Sequence, residues 1–371
     1  MPGNNLSAAT PIKFSLQLVK VLYNDTIYTE ITNTKYEGEI KNQGDRVRVR
    51  TAAKITWNTY TKGMTLVGQN LNPTSEDLII DQAKYFKFGI DDIDKLQNDI
   101  DVMNEYADNA RRDMSELIDS DILTYGRKNV KGNNALGTDY NTGTIAVAAG
   151  TGVVSGVGTT FTAAMVGGLF TPVASSAITQ TTTFYLVTAF TSATQITVQD
   201  LDGVTYTGGA IGAGTSFTIK AATALALTKT NVYDQLVNLG TLLSQALCPR
   251  NDRFLVANAA LEGIIRQSPN FQPSVETAYN EVVKNGRIGR IANFNVVLSE
   301  LVPGDNTLGY WFLAGQKEFI AFGAQITKVS FIDQANDPNS FVSVAKGLLL
   351  YGRKVFAGNR SRGAFLRATC S

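Results

Sequence analysis

Residues 141–220 carry almost no charged side chains, although the sequence on both sides is ordinarily charged. Only Asp200, Asp202 and Lys220 interrupt a stretch that is dense in Thr, Gly, Ala and Val. Short β-branched or alternating runs, separated by glycine-containing turns, are typical of a small all-β module. Aromatic side chains recur along the stretch, which argues against a disordered linker. Because ordinary charge then returns, the pattern predicts a β-rich domain at 141–221 that is inserted into a host domain.

A strict alternation of arginine and valine marks a second element near the N-terminus. In residues 44–50, Val47 and Val49 fall on one face of a strand and three arginines fall on the other. The strand continues through Ile55 and Trp57, turns at Lys62-Gly63, and returns through Leu78–Gln82 to Tyr85–Phe88. Residues 36–90 therefore resemble a long β-hairpin. A two-stranded ribbon buries little of its own surface, so its apolar side chains need another surface, in this chain or on a neighbour.

Residues 91–128 carry the strongest helical pattern. Apolar residues recur at alternating intervals of three and four, on one helix face: Ile93, Leu96, Ile100, Met103, Ala107, Ala110, Met114 and Leu117. About 35 residues at 1.5 Å each predict a rod roughly 50 Å long that lies on a sheet. A coiled coil is the alternative, and the two alanines count against it. Carboxylates open the pattern and basic residues close it, which suits the helix dipole better than a metal site: Asp91, Asp92, Asp94, Arg127, Lys128 and Lys131.

Residues 222–371 alternate helical and extended patterns, so the fold class is α+β. One helix is predicted from Thr230, as its N-terminal cap, to about Leu247. Its apolar face comprises Val232, Leu236, Leu239, Leu243 and Leu247. A second helix is predicted at Ala259–Gln267. The strand-like runs are Arg253–Ala257, Phe294–Leu298, Tyr310–Ala314, Phe319–Phe322, Ile326–Phe331 and Phe341–Tyr351.

Composition narrows the function. The chain has 33 Lys and Arg against 32 Asp and Glu, whereas wrapping of nucleic acid usually needs a basic excess. DNA binding is therefore not expected to be the primary function. The sequence has no histidine, which removes the usual general base and the commonest imidazole metal ligand. Phosphate-binding glycine motifs are also absent. These features predict a protein that is not an enzyme and holds no cofactor or metal.

Neither membrane insertion nor export is expected. No apolar run reaches the roughly 20 residues that span a bilayer, and residues 1–10 lack a basic segment followed by an apolar one. Cys248 and Cys370 are the only cysteines and lie far apart in sequence, so they form no disulfide framework.

Several stretches resemble recurrent sequences of the HK97-type major capsid proteins of tailed bacteriophages. GDRVRV (44–49) resembles the strand that enters the family's extended loop, and IDQAKYFKFGIDDID (80–94) with Gln97 the strand that leaves it and runs into the spine helix. FNVVLS (294–299) and YWFLAG (310–315) resemble late strands of the axial domain, and VAKGLLLYGRKV (344–355) the closing strand of the peripheral domain. The resemblance rests on these stretches together and in this order, and residues 141–220 depart from it.

The resemblance implies an HK97-like α+β fold with six regions. These are an N-terminal arm at 1–35, an extended loop at 36–90, a peripheral domain with the spine helix at 91–140, the inserted domain at 141–221, an axial domain at 222–324, and returning peripheral strands at 325–371.

The resemblance also implies self-assembly, through hexamers and pentamers, into an icosahedral shell that encloses double-stranded DNA without reading its sequence. A scaffolding protein and a portal protein are the expected partners, and decoration proteins could bind the inserted domain. Because the N-terminal arm is short, a separate scaffolding protein is expected rather than a fused one, with a processed precursor as the alternative. Assembly is expected in the host bacterial cytoplasm, and the protein then becomes part of the virion.

The hairpin supplies the candidate subunit interface. Its cationic and aromatic side chains, Arg46, Arg48, Arg50, Lys54, Trp57 and Lys62, are expected to face an adjacent subunit. The acidic cluster Asp91, Asp92 and Asp94 of that subunit is the expected counterpart. A solvated basic face with little energy per ion pair is the alternative. As some relatives crosslink through a lysine of this loop, Lys54 or Lys62 would be the donor.

Two other functions fit part of the sequence. An encapsulin-like compartment shell would share the fold and enclose an enzyme instead of DNA. A surface carbohydrate-binding or adhesive protein would act through the inserted domain, but most of the chain would then lack a role.

Overall fold

The computed structural model describes residues 26–36, 46–51, 53, 55–91, 102–179, 182–201, 204–269, 289–332 and 342–370. Within these ranges the chain forms four α-helices and 21 β-strands. The strands are arranged in a two-stranded ribbon, a three-stranded sheet and two eight-stranded sheets.

The ribbon pairs β1 (Arg46–Thr51) with β2 (Thr74–Ile79) in antiparallel register. The predicted alternation is confirmed, because Val47 is buried while the arginines on either side of it are exposed. The hairpin is shorter than predicted. Residues Tyr85–Phe88, which were expected in its return, belong instead to the next sheet.

The three-stranded sheet has the order β19-β20-β3 and is antiparallel throughout. Its strands are β3 (Gln82–Asp91), β19 (Ala321–Ile332) and β20 (Val342–Lys354). The separate runs expected around Phe322 and Ile326 therefore form one strand. Strand β3 pairs with β20 along its whole length, which places Asp91 opposite Val342.

Helix α2 (Val102–Asn129) packs on this sheet and on the central core. The predicted start at residue 91 is wrong, because long-range pairing with β20 overrides the helical pattern there and makes Asp91 the end of a strand. The positions of Asp92 and Asp94, and of the first three stripe residues, lie outside the described residues. The predicted stripe is also wrong at Leu117, which is 40% exposed. Its buried continuation is Ile118 and Ile122, one helical turn apart.

The central sheet is mixed and has the order β13-β21-β18-β14-β16-β15, with β17 beside β18 and β4 beside β21. Its strands are β4 (Ala135–Leu136), β13 (Leu225–Leu227), β14 (Arg253–Ala257), β15 (Arg290–Ile291), β16 (Phe294–Leu298), β17 (Gly304–Asp305), β18 (Gly309–Gln316) and β21 (Gly363–Cys370). Strands β4 and β13 both run parallel to β21. They lie on the same edge of β21, one after the other, because β18 occupies the other edge.

Helices α3 (Val232–Gln245) and α4 (Ala259–Gln267) belong to the central sheet's core. The apolar face predicted for α3 is confirmed for its first four members, which are fully buried. Its fifth member was wrong: the helix ends at Gln245, and Leu247 follows with φ 58° and 90% exposure. The predicted cap was also wrong, since Asn231 occupies that position and accepts a hydrogen bond from the Thr228 amide at 2.9 Å.

The second eight-stranded sheet, called the Thr/Gly sheet below, is built only from strands β5 to β12 and has the order β11-β6-β7-β10-β9-β8-β12-β5. Its strands are β5 (Thr138–Tyr140), β6 (Thr144–Val147), β7 (Val153–Val157), β8 (Leu169–Thr171), β9 (Tyr185–Ser192), β10 (Gln195–Gln199), β11 (Ile211–Thr215) and β12 (Thr218–Thr223). It encloses its own hydrophobic cluster, which includes Phe161, Phe170 and Phe217. Gly152 shows why the glycines are needed: it has φ 64°, and a Cβ there would collide with the Val198 carbonyl.

Candidate assembly surfaces

The loop between the ribbon strands exposes large apolar side chains to solvent. Every residue from 55 to 73 is exposed, and this range is called the exposed loop below. The exposed fraction of Trp57 is 93%, and that of Val67 is 77%. A reciprocal pair of hydrogen bonds between Thr56 and Gln69 spans the loop near its base. Single exposed apolar residues are ordinary on a monomer, but a cluster of this kind marks an interaction surface.

The base of the ribbon is fixed to the body of the same chain. Val47 and Leu78 pack in a small buried cluster with Ala321 and Phe356. Polar contacts reinforce this anchor, because Lys354 Nζ donates to the Asp77 carbonyl at 2.8 Å and the Ala357 amide donates to Glu76 Oε1 at 3.0 Å. The exposed loop therefore extends from a fixed origin.

The basic face of β1 has an acidic partner within the ribbon. Arg48 donates to both carboxylate oxygens of Asp77 on the opposite strand, at 2.8 and 3.1 Å, and Arg46 lies 3.8 Å from the same carboxylate. This pairing raises the pKa of Arg48 and lowers the pKa of Asp77. Asp77 was not among the predicted interface residues. The cross-strand register, which depends on the length of the loop, would have been needed to find it.

The other predicted interface residues are spread over different parts of the chain. Arg50 and Lys62 are exposed, and neither forms an ion pair with the part of the chain that the structure describes. Lys54 lies outside the described residues, as do Asp92 and Asp94. Asp91 closes β3 and lies in a different sheet from β1. The predicted pairing of these carboxylates with the arginines of a neighbouring subunit stays a prediction.

The N-terminal segment is anchored to helix α2. Helix α1 (Tyr28–Ile31) is only four residues long, and the carboxylate of Asp119 accepts hydrogen bonds from the amides of Ile27 and Tyr28 at 3.0 and 2.9 Å. Burial raises the pKa of Asp119 to about 6, against the opposing effect of these two hydrogen bonds. At the other end of the segment, Asn33 forms a bridge to Ala321. No local sequence pattern indicates this buried carboxylate.

Helix α2 is joined to the three-stranded sheet through a second carboxylate. Asp121 accepts a hydrogen bond from the Tyr351 hydroxyl at 2.9 Å and pairs with Arg353 at 2.8 Å. The guanidinium of Arg353 also lies over the Tyr125 ring, 4.7 Å from its centroid. These contacts fix the helix to the three-stranded sheet. Strand β20 of the same sheet contributes Lys354, which holds the base of the ribbon.

No metal-binding cluster of three or more acidic, His or Cys side chains occurs in the described ranges. None of the described helices is both long enough and apolar enough to cross a membrane.

The same architecture occurs in solved capsid structures. A structure of Mycobacterium phage Che8 aligns with 96% of this chain and 96% of its own, with a TM-score of 0.64 and 17% identity. The capsid structure of cyanophage P-SCSP1u aligns with 100% of this chain and 96% of its own, with a TM-score of 0.62 and 12% identity. The mature capsid of bacteriophage PhiM1 aligns with 97% and 92%, with a TM-score of 0.53 and 11% identity. At such identities the likeness shows the fold.

Residues 199–366 match the model of the phage capsid protein family, while no curated protein matches the sequence. The fold and the family match define the class, a structural protein of the virion that has the HK97-like capsid fold. Within that class, the chain is a phage capsid protein, copies of which form the shell. The predicted α+β fold and shell-building function are thereby confirmed.

Proposed function

We propose that the exposed loop is the element through which each subunit holds a neighbouring copy in the shell. The observation that carries this proposal is the cluster of large apolar side chains on the loop, which no part of the described chain covers: Ile55, Trp57, Tyr60, Met64, Leu66, Val67 and Leu71. Aromatic residues at the centre of an interface commonly contribute most of its binding energy. Trp57 is the most exposed member and is the expected anchor.

The arrangement of the ribbon supports this role. Its base is held by the buried contact of Val47 with Leu78 and by the Lys354 hydrogen bond. A loop that starts from a fixed base loses less freedom when it binds, because part of its ordering already exists. Repeated contacts of modest strength also suit a closed shell, since linked contacts add up to a stable lattice while each one can still dissociate.

The test compares Trp57→Ser with Leu247→Ser, since Leu247 is 90% exposed on the body and lies outside the exposed loop. The association constant of each contact should fall at least about tenfold for Trp57→Ser, which corresponds to 1.4 kcal/mol. The yield of particles, measured by sedimentation and electron microscopy, should fall as a result. Leu247→Ser should assemble as the unaltered protein does. Normal particle yield from Trp57→Ser, or an equal loss from both variants, would contradict the proposal.

We further propose that the basic face of β1 pairs with acidic residues of the neighbouring subunit, as expected from the sequence. Arg46 and Arg48 already share Asp77, so Arg50 is the residue that isolates this effect. Arg50→Glu should reduce assembly at low salt, and a second change, Asp91→Lys, should restore it. If Arg50→Glu assembles normally at low salt, the face is only a solvated one.

The remaining organisation is proposed by analogy with the fold. The domain assignment of the sequence analysis, from the arm at 1–35 to the returning strands at 325–371, stays a prediction and is part of this proposal. We propose that the subunits form hexamers and pentamers around double-stranded DNA and that the protein catalyses no reaction. Assembly would take place in the host cytoplasm with a scaffolding protein and a portal protein, and decoration proteins would bind the Thr/Gly sheet.

A further inference from the structure

Arg367 occupies an unusual position at the junction of the two large sheets. It lies on β21 of the central sheet, and its side chain is fully buried and the largest such side chain among the residues that the structure describes. A guanidinium has five N–H donors in a fixed plane. Here they reach the backbone carbonyls of Leu308, Ala221, Ala222, Ala164 and Val166, at 2.8 to 3.0 Å.

Four of these five carbonyls belong to the Thr/Gly sheet unit. Ala164 and Val166 lie between β7 and β8, and Ala221 and Ala222 lie in β12. One side chain of the central sheet therefore holds two separate segments of the other unit. The acceptors are main-chain atoms, so this contact requires a defined backbone position rather than particular side chains.

The packing around the guanidinium is equally specific. Its carbon lies 4.6 Å from the centroid of the Trp311 ring, and Arg127 of helix α2 lies 4.1 Å from the same centroid. On the side of the Thr/Gly sheet, Gly167 has φ 89°, and a Cβ there would stand 2.7 Å from the Trp311 ring. Backbone of the Thr/Gly sheet thus approaches the indole as closely as glycine allows.

The buried charge makes this contact sensitive to relative movement. No carboxylate among the residues in the described ranges hydrogen-bonds to the guanidinium of Arg367, and burial lowers the pKa of Arg367 to about 10. A buried charge must keep its hydrogen-bond partners, because each lost partner leaves an unsolvated donor. If the Thr/Gly sheet turned relative to the central sheet, four donors would lose their acceptors together.

We infer that Arg367 is a positioning residue that holds the Thr/Gly sheet in one fixed orientation on the body of the capsid subunit. This inference goes beyond the proposed role of the exposed loop and does not depend on it. Its consequence is that every subunit presents the surface of the Thr/Gly sheet at the same angle to the shell.

The chain offers a matched control in Arg253, which is also buried, at 2% exposure. Its donors reach the carbonyls of Pro249, Gly240 and Cys248 and the Ser244 hydroxyl, all within or next to the central sheet's own helix α3. Arg253→Lys should therefore weaken the body without affecting the orientation of the Thr/Gly sheet.

The experiment measures orientation directly by the distance between two spin labels in the full chain. The labels are placed at Val157→Cys, on β7, and Val237→Cys, on α3, both of which are exposed positions. The native cysteines are buried, and burial raises the pKa of both thiols, so the introduced thiols react first. Measurements are made on the unassembled chain and on particles in which labelled subunits are diluted with unlabelled ones.

A single narrow distance distribution is expected for the parent chain and for Arg253→Lys. Arg367→Lys should broaden the distribution, and amide exchange in residues 163–168 should accelerate by about tenfold or more while β14 keeps its protection. A lower free energy of unfolding alone would not broaden the distance distribution of the folded chain. If Arg367→Lys does not fold, Gly167→Ala disturbs the same contact from the other side and should broaden the distribution. A distribution as narrow as the parent's in the folded variant would overturn the inference.

Discussion

The exposed loop and the Thr/Gly sheet are both separate from the central sheet, but they differ in what covers their apolar side chains. The Thr/Gly sheet encloses Phe161, Phe170 and Phe217 in a cluster of its own. The exposed loop leaves Trp57 and Leu66 in solvent. These apolar side chains of the Thr/Gly sheet are therefore buried within one chain, whereas those of the exposed loop are not. This difference supports the proposal that a neighbouring copy covers the exposed loop, whereas the Thr/Gly sheet needs no such cover.

The largest expected effect tests the closed core of the sheet. Phe217 is 1% exposed, and its ring lies about 6 Å from the rings of Tyr140, Phe161 and Phe170. Phe217→Ala should lower the free energy of unfolding of the Thr/Gly sheet by about 3–5 kcal/mol, because it removes a fully buried ring. The measurement is urea unfolding of the unassembled chain. Phe190→Ala, at a position 37% exposed in the same sheet, is the control. An equally large decrease in the free energy of unfolding for Phe190→Ala would contradict the idea that the sheet has a closed core of its own.

The N-terminal segment is an intermediate case, since it has no core of its own but is buried against the body. The pKa of Asp119 is about 6 in the folded chain and 3.8 without burial. The folded state therefore binds the proton more tightly, and this group's stabilising contribution is complete below pH 3.8 and disappears as the pH rises through 6. The change amounts to at most about 3 kcal/mol.

The direction of this pH dependence is tested by comparing the parent chain with Asp119→Asn, whose side chain does not titrate. The free energy of unfolding of the parent, relative to that of Asp119→Asn, should decrease between pH 4.5 and pH 7. A difference that stays constant over this range would show that Asp119 titrates as an exposed carboxyl does.

The smallest effect on folding is expected on the ribbon itself. Arg48 pairs with Asp77 in solvent, and exposed ion pairs contribute little and are screened by salt. Arg48→Ala should leave the thermal midpoint of the unassembled chain almost unchanged, and the residual change should vanish in about 1 M salt. Val49→Ala on the other face of β1 is the control for packing. A large decrease in the thermal midpoint of Arg48→Ala would mean that the ribbon depends on this ion pair for its structure.

Local patterns identified the elements whose alternation or apolar run is visible within a few consecutive residues. The alternation around Val47 correctly gave the faces of β1, and the run Phe294–Leu298 coincides with β16. Elements that depend on distant partners were less predictable. Residues 82–91 are held in a strand by β20, which lies some 260 residues further along the chain. No local feature of Asp91 indicates that pairing.

The assembly surface was predictable in part for a similar reason. Trp57 was identified because an aromatic residue on an isolated ribbon has no cover. Asp77 and Asp119 were missed, because their roles follow from the register of the ribbon and from the docking of the N-terminal segment. Arg367 was missed too, since nothing in its neighbours distinguishes a buried arginine from an exposed one.

Strands β4 and β13 lie one after the other on one edge of β21. The chain therefore enters and leaves the Thr/Gly sheet at nearly the same place. Leu136 pairs with Leu366, and Leu225 pairs with Ala368, so the two ends are separated by about 7 Å at 3.3 Å per residue. A linker of one or two residues would close that gap. A foreign domain with closely spaced termini would fit the same opening, provided that Arg367 were replaced by an apolar residue or given new carbonyl acceptors. The edge of β21 that carries β4 and β13 is therefore the place at which another domain could replace the Thr/Gly sheet in the subunit.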